Sequence, residues 1–237
     1  PFCKQACHYC DFHFSTNRQL TSQLCEAMAV EIKLQKDYLK DEVLKTIYLG
    51  GGTPSLLSIK ELEIILRAIT DHHQLDPHPE ITLEANPDDL TGKKLLDLHE
   101  IGINRLRIGI QSFENEILKF LNRGHTSQSA LECVSLARDA GFDNLSLDLI
   151  YAIPGQDNTA WEKNLEQAIR LSPEHISSYS LSIEEKTAFG RWLHSGKFKT
   201  TDEEVAAQQF EIVMEKLEKA GYEHYEISNF SKPGFHS

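Results

Sequence analysis

The chain has 237 residues, and its 36 acidic against 24 basic side chains leave a net charge of -12. That excess argues against a nucleic-acid-binding face, which needs clustered lysine and arginine to displace counterions from phosphates, so no DNA or RNA partner is expected. No apolar run reaches the length of a membrane span and no signal peptide precedes the first residues, so a cytoplasmic protein with reduced thiols and one large core is expected.

The first element is a cysteine loop, Pro1-Phe-Cys-Lys-Gln-Ala-Cys-His-Tyr-Cys10. Iron-sulfur clusters are usually held by four thiolates, and this run supplies three, Cys3, Cys7 and Cys10. A cluster iron without a protein thiolate can accept a small molecule, as a catalytic metal site does at its open position. A structural zinc site completed by His8, His13 or a distant cysteine is the alternative, although zinc spacings are more often CxxC than CxxxC. Cys25 and Cys133 fall in helical patterns and read as small buried apolar residues. Because the chain opens on this loop, and on proline rather than methionine, residues 1–237 are read as a fragment.

Short apolar strands then alternate with amphipathic helices, the pattern of βα units and a parallel sheet. In chain order the periodicity predicts a helix over Gln19 to Tyr38, a strand over Thr46 to Leu49, a helix over Ile59 to Thr70, a strand over Ile81 to Ala85 and a helix over Gly92 to Glu100. There follow a strand over Arg105 to Ile110, a helix over Ser127 to Ala140, a strand over Asn144 to Ile150, a helix over Thr159 to Leu171, a strand over His175 to Leu181 and a helix over Glu203 to Ala220. Leu20, Leu24, Met28 and Ile32 mark one face of the first helix, and Phe210, Val213, Met214 and Leu217 one face of the last. The polar stretch Lys186 to Thr201 reads as a long connection.

The strands themselves alternate. Arg105, Arg107, Gly109 and Gln111 stand opposite Leu106, Ile108 and Ile110; Asn144, Ser146 and Asp148 stand opposite Leu145, Leu147 and Leu149; Thr82 and Glu84 stand opposite Ile81 and Leu83. In a doubly wound sheet both faces are covered by helices and strands read as continuous apolar runs. An antiparallel sheet with one wet face alternates too, but it needs no helices between successive strands. The expected fold is therefore an α/β partial barrel, similar to a TIM barrel, with helices outside and a polar, ligand-filled interior.

Such a barrel puts its site at the C-terminal strand ends. Gly50, Gly51 and Gly52, followed by Thr53 and Pro54, leave the first of these strands, and three glycines let backbone approach a ligand directly. The later strands deliver Glu84, Gln111 and Asp148, and Arg123 comes from the segment after Gln111. Each alone is more often a satisfied polar group or a flexible turn; together, at successive strand ends, they point to a ligand.

These motifs resemble the radical S-adenosylmethionine (SAM) superfamily, and within it the oxygen-independent coproporphyrinogen III oxidase family. The resemblance is carried by Cys3-xxx-Cys7-x-Tyr9-Cys10, Gly50-Gly51-Gly52-Thr53-Pro54, Leu83-Glu84-Ala85-Asn86-Pro87, Gly109-Ile110-Gln111-Ser112-Phe113, Asn122-Arg123, Asp148-Leu149-Ile150-Tyr151 and Ile153-Pro154-Gly155. It implies a (β/α)6 barrel over residues 1–237, with the first strand upstream of Pro1 and a smaller helical domain beyond Ser237. It also implies a [4Fe-4S] cluster on Cys3, Cys7 and Cys10, its free iron chelated by SAM. Tyr9 would lie close to the adenine, or simply pack beside the cluster. Gly51, Gly52 and Thr53 would meet the methionyl end, Glu84 and Gln111 the ribose or nearby polar atoms, and Arg123 and Asp148 would complete the pocket.

The family's chemistry is reductive cleavage of SAM to methionine and a 5′-deoxyadenosyl radical, which abstracts hydrogen from a substrate. In the oxidase branch that substrate is coproporphyrinogen III, which loses carbon from two propionates on the way to protoporphyrinogen IX. The oxidases resemble CxxxCxxCxC, whereas the position two after Cys10 is Phe12. Cys-Asp-Phe is similar to the HemW branch, regarded as haem chaperones, in which a His-Asn-x-x-Tyr motif follows a segment like Glu226 to Ser237. Haem or a porphyrinogen is the implied partner. The electron donor and the haem acceptor carry no signature in the sequence, and His72, His73, His99 and the terminal His236 read as solvated positions.

Overall fold

The computed structural model describes residues 1–39 and 42–237. Eight α-helices and seven strands follow one another among them: α1 (Thr21–Leu34), β1 (Leu44–Leu49), α2 (Ile59–His72), β2 (Leu75–Ala85), α3 (Gly92–Glu100), β3 (Arg105–Gln111), α4 (Asn115–Phe120), α5 (Ser127–Asp139), β4 (Asn144–Tyr151), α6 (Asn158–Leu171), β5 (His175–Ser180), α7 (Ala188–His194), α8 (Glu203–Lys219), β6 (Glu223–Glu226) and β7 (Asn229–Ser231).

Helix starts follow local capping chemistry. Ser58 accepts the Glu61 amide while the Glu61 carboxylate accepts the Ser58 amide, a reciprocal box that satisfies two otherwise orphaned donors at the start of α2. Thr91, Thr126, Asp157, Thr187 and Asp202 cap α3, α5, α6, α7 and α8 in the same sense, each accepting an amide of the first turn.

All seven strands form one sheet in the order β1-β2-β3-β4-β5-β7-β6. The first five run parallel in sequence order, and the hairpin β6–β7 adds antiparallel to β5. The apolar positions of the strands point outward to the helices: Leu83, Leu106, Ile108, Leu145, Leu147 and Ile176 are fully buried, against Leu62, Leu95, Leu98, Trp161, Leu165 and Leu217 from the helical layer. The polar positions face one shared cavity lined from the ends of β1 through β5. A flat sheet would hold these strand ends in a row, so a common cavity requires the sheet to curl into the expected partial barrel.

Toward the N-terminal strand ends the polar face is closed rather than wet. Arg105, Thr82, Ser146 and His175 are almost completely buried there. Arg105 Nη1 donates to Thr82 Oγ1 at 3.3 Å, and His175 pairs with Ser146 Oγ at 2.9 Å and Tyr225 Oη at 2.8 Å. Burial, with Arg105 and Arg107 nearby, holds the His175 imidazole neutral, its pKa pushed down to about 3. This floor leaves the C-terminal ends of the strands as the mouth.

Cys25 and Cys133 are buried, as their helical setting implied, while His99 and His236 are exposed. α1 is shorter than its periodicity predicted, ending at Leu34. Two helices and the hairpin go beyond the sequence reading. The predicted connection Lys186 to Thr201 contains α7, whose Phe189 is buried in a second apolar cluster with Leu121, Ile150 and Ile153.

Trp161 joins α6 to α8, fully buried and donating its indole N–H to the Gln209 carbonyl at 3.1 Å. Trp161→Ala should lower the urea-unfolding free energy by about 3–5 kcal/mol, and a loss below about 1 kcal/mol would contradict that anchoring role.

Candidate functional site

The cavity at the strand mouths has a volume of about 1050 Å³. All eleven residues singled out by sequence line it: Cys3, Cys7, Tyr9, Cys10, Gly51, Gly52, Thr53, Glu84, Gln111, Arg123 and Asp148.

The cysteine loop is held in place from three directions. On one side Asn122, in the left-handed region at φ 57°, donates its side-chain amide to the Ala6 carbonyl at 2.6 Å and accepts the Gln5 side chain on its own carbonyl at 2.6 Å. Lys4 bridges to Asp88 at 2.8 Å and also pairs with Asp89. On a second side, the glycine turn lies against the chain start. The Thr53 amide donates to the Phe2 carbonyl at 2.8 Å, and a Cβ on Gly52, itself at φ 63°, would sit 2.7 Å from the Phe2 nitrogen. Only glycine suits that close approach. On the third side α7 receives His8: the Phe189 amide donates to its carbonyl at 3.0 Å, and its ring lies 4.6 Å from the Trp192 ring.

The thiols of Cys3, Cys7 and Cys10 are free and half-buried. Thr53 Oγ1 donates to Cys3 Sγ at 3.4 Å, and Arg123 Nη1 to Cys7 Sγ at 3.4 Å. For Cys10, burial pushes the thiol up, and the Phe12 backbone amide partly offsets it. Among the described residues no three His, Cys, Asp or Glu side chains stand close enough to hold a single metal ion.

Arg123 connects the cysteine loop to the strands. Besides Cys7, its Nη1 reaches Tyr9 Oη at 3.4 Å, and its Nη2 donates to Asn86 Oδ1 at 2.5 Å and to the Gly109 carbonyl at 2.7 Å. Its Nε is buried without a hydrogen-bond partner. Gly109 makes this possible: a Cβ there would lie 2.8 Å from the Gln111 amide nitrogen and 3.2 Å from the Arg123 guanidinium. Gln111 itself is at φ 67°, where β3 bulges against β4. Burial pushes the Tyr9 phenol well above its usual range, so it stays a protonated donor. It also packs on the Leu121, Ile150, Ile153 and Phe189 cluster.

The two carboxylates are not free acceptors. Glu84 Oε1 accepts from Tyr48 Oη at 2.7 Å and Oε2 from the Gly51 amide at 2.8 Å. Asp148 pairs with Arg107 Nε, which is 2.9 Å from both carboxylate oxygens. Arg107, Tyr48, Tyr179 and Asn86 were not among the residues the sequence picked out for the site. For Arg107 the signal existed in the polar alternation of β3; Tyr48 and Tyr179 read as ordinary strand aromatics, and only the curl of the sheet brings them inward.

A family model, the Radical SAM superfamily, matches residues 1–168. The haem chaperone HemW of Lactococcus lactis is 38% identical over 237 residues, covering 100% of this chain and 62% of that one. The haem chaperone HemW of Bacillus subtilis is 39% identical over 241 residues, covering 100% of this chain and 63% of that one. Coproporphyrinogen III oxidase (HemN) from Escherichia coli superposes with a TM-score of 0.88 at 23% identity, covering 99% of this chain and 54% of that chain, a likeness of fold. The chain thus spans about three-fifths of the length of these curated relatives.

The loop tether at Asn122 can be isolated with Asn122→Gly, which keeps the left-handed backbone and deletes the bond to Ala6. Loss of about 1 kcal/mol corresponds to roughly fivefold faster hydrogen exchange at the His8 amide, which bonds the neighbouring Leu121 carbonyl. Unchanged exchange at His8 would show that the tether does not hold the loop.

Proposed function

The chain belongs to the radical SAM superfamily, and from that membership we propose that it binds a [4Fe-4S] cluster and SAM in a protein that handles haem. Cys3, Cys7 and Cys10 would hold the cluster. Tyr9, Gly51, Gly52, Thr53, Glu84, Gln111, Arg123 and Asp148 would surround SAM. The observation that carries this reading is the convergence of three free thiols, a glycine turn and two carboxylates on one cavity.

The donor set fits both groups. Three thiols leave one cluster corner without a protein ligand, and the cavity has room for a second molecule there. Arg123 donates to Cys7 Sγ, and its buried, unpartnered Nε is one more donor in the same wall. Glu84 and Asp148 accept hydrogen bonds, as ribose hydroxyls and an amine require. When bound, cluster and SAM would supply one-electron chemistry. The chain's own task is to fix the thiols, orient the carboxylates and keep water from the reacting centre.

The zinc alternative is the weaker reading. His8 is committed to the Phe120 carbonyl at 2.8 Å and to the Trp192 ring, which turns it to other work. Anaerobic reconstitution separates the two: iron and sulfide retained by the protein, and lost in Cys7→Ala, support the cluster, whereas zinc alone supports a structural site.

Within the superfamily we favour a haem chaperone. The support is Phe12, two positions after Cys10, together with relatives whose names carry that role. Oxygen-independent coproporphyrinogen III oxidase is the rival, favoured by the fold likeness to HemN. The full-length protein, supplied with reductant and SAM, should bind haem stoichiometrically and fail to turn over coproporphyrinogen III. Sustained formation of protoporphyrinogen IX would overturn the chaperone reading.

A further inference from the structure

The inner face of the barrel carries a hydrogen-bonded chain to which each of the five parallel strands contributes one side chain. Arg107 of β3 lies at its centre. Its Nε meets both oxygens of Asp148 on β4 at 2.9 Å, its Nη1 donates to Tyr48 Oη on β1 at 3.1 Å, and its Nη2 donates to Tyr179 Oη on β5 at 2.5 Å. Tyr48 Oη in turn donates to Glu84 Oε1 on β2 at 2.7 Å. Glu84 and Arg107 are register partners in the sheet, yet they are joined here through the Tyr48 phenol.

We propose that Arg107 is the positioning residue of the SAM cavity, holding Asp148 and, through Tyr48, Glu84 as two oriented acceptors. The proposal rests on the SAM reading above for the identity of the ligand, but not for the behaviour of the two carboxylates.

Electrostatics explains why a cation is needed there. Burial raises the pKa of a carboxyl, and a neighbouring carboxylate raises it further. For Asp148, burial pushes the carboxyl up, the Arg107 charge and hydrogen bonds pull it back, Ser177 on β5 helps, and Glu84 opposes. Of the other groups around it, burial and the bond to Glu84 keep the Tyr48 phenol protonated, Tyr179 accepts from Arg107 Nη2, and His175, further down β5, is neutral; the cations Arg105 and Arg123 are engaged elsewhere, with Thr82 and Glu80 and with Asn86 and the Gly109 carbonyl. Arg107 itself stays charged, because Asp148 outweighs the cost of its burial. Removing the guanidinium therefore leaves Asp148 buried without a counter-charge, and the cheapest response is to take up a proton.

A merely structural arginine would not produce a pH signature, and this one should. In wild-type full-length protein, reconstituted anaerobically, SAM affinity should be nearly flat from pH 6 to 9. In Arg107→Gln it should fall by about tenfold or more at the acid end, where Asp148 is protonated, and recover as pH rises; a midpoint shift of about 1–3 units is the usual effect of losing an adjacent opposite charge. Arg107→Lys, which keeps the charge but loses the fork, should restore the flat profile at reduced affinity. In parallel, the Asp148 carboxyl carbon, assigned with Asp148→Asn, is titrated by NMR in cluster-free protein. Its midpoint should rise in Arg107→Gln and return toward wild type in Arg107→Lys. An equal loss of affinity at every pH, with an unmoved Asp148 midpoint, would overturn the proposal. If no form binds SAM, the ligand reading fails by itself, and the carboxyl titration still decides the role of Arg107.

Discussion

A polar face turned inward is the constraint on which this molecule depends. Parallel strands whose alternate side chains are Arg107, Asp148, Glu84, Ser146 and His175 cannot be covered by apolar helices on both sides without stranding donors and acceptors. Curling the sheet solves this by letting the polar side chains satisfy one another across the interior. The ion pair of Arg107 with Asp148 is the centre of that solution. A buried pair of this kind is weak evidence for stability, because desolvation consumes much of the Coulomb gain. What it provides is definition: the wall of a cavity with fixed acceptors and a fixed cation.

The cysteine loop meets this wall through few, directional contacts. A loop that is ordered in advance spares any ligand of its three thiols the cost of ordering it, roughly 1–2 kcal/mol per residue in backbone entropy. Here Asn122, the Gly52 turn and α7 each take part of that task. Arg123 then joins loop and barrel in one side chain, touching Cys7, Tyr9, Asn86 and Gly109 at once. The positive φ values at Gln111 and Asn122 mark where the backbone bends to make these contacts.

Much of this was readable before any coordinates. The period-two alternation in Arg105 to Gln111 and Asn144 to Leu149 implied a curled sheet, and the strand-end rule picked out Glu84, Gln111 and Asp148, all of which line the cavity. What escaped did so for physical reasons. α4 and α7 are six and seven residues long, too short for a 3.6-residue period to declare itself. β7 is held by pairing with β5, and β6 by pairing with β7 and by the stacking of His224 on Phe230, not by their own pattern. Tyr48 and Tyr179 look like strand aromatics until the curl brings them to Arg107. Asp148 was read as completing the pocket, but its partner Arg107 was not foreseen, because it lies 41 positions earlier in the chain, a distance no local pattern bridges.

Electron paramagnetic resonance decides whether a cluster on these three cysteines keeps an open corner for SAM. The full-length protein, reconstituted anaerobically and reduced, should give the spectrum of a [4Fe-4S] cluster that changes on addition of SAM and shows coupling to a 15N label on the methionyl amine. A cluster whose spectrum ignores SAM, or a protein that retains zinc and no iron, would contradict that open corner.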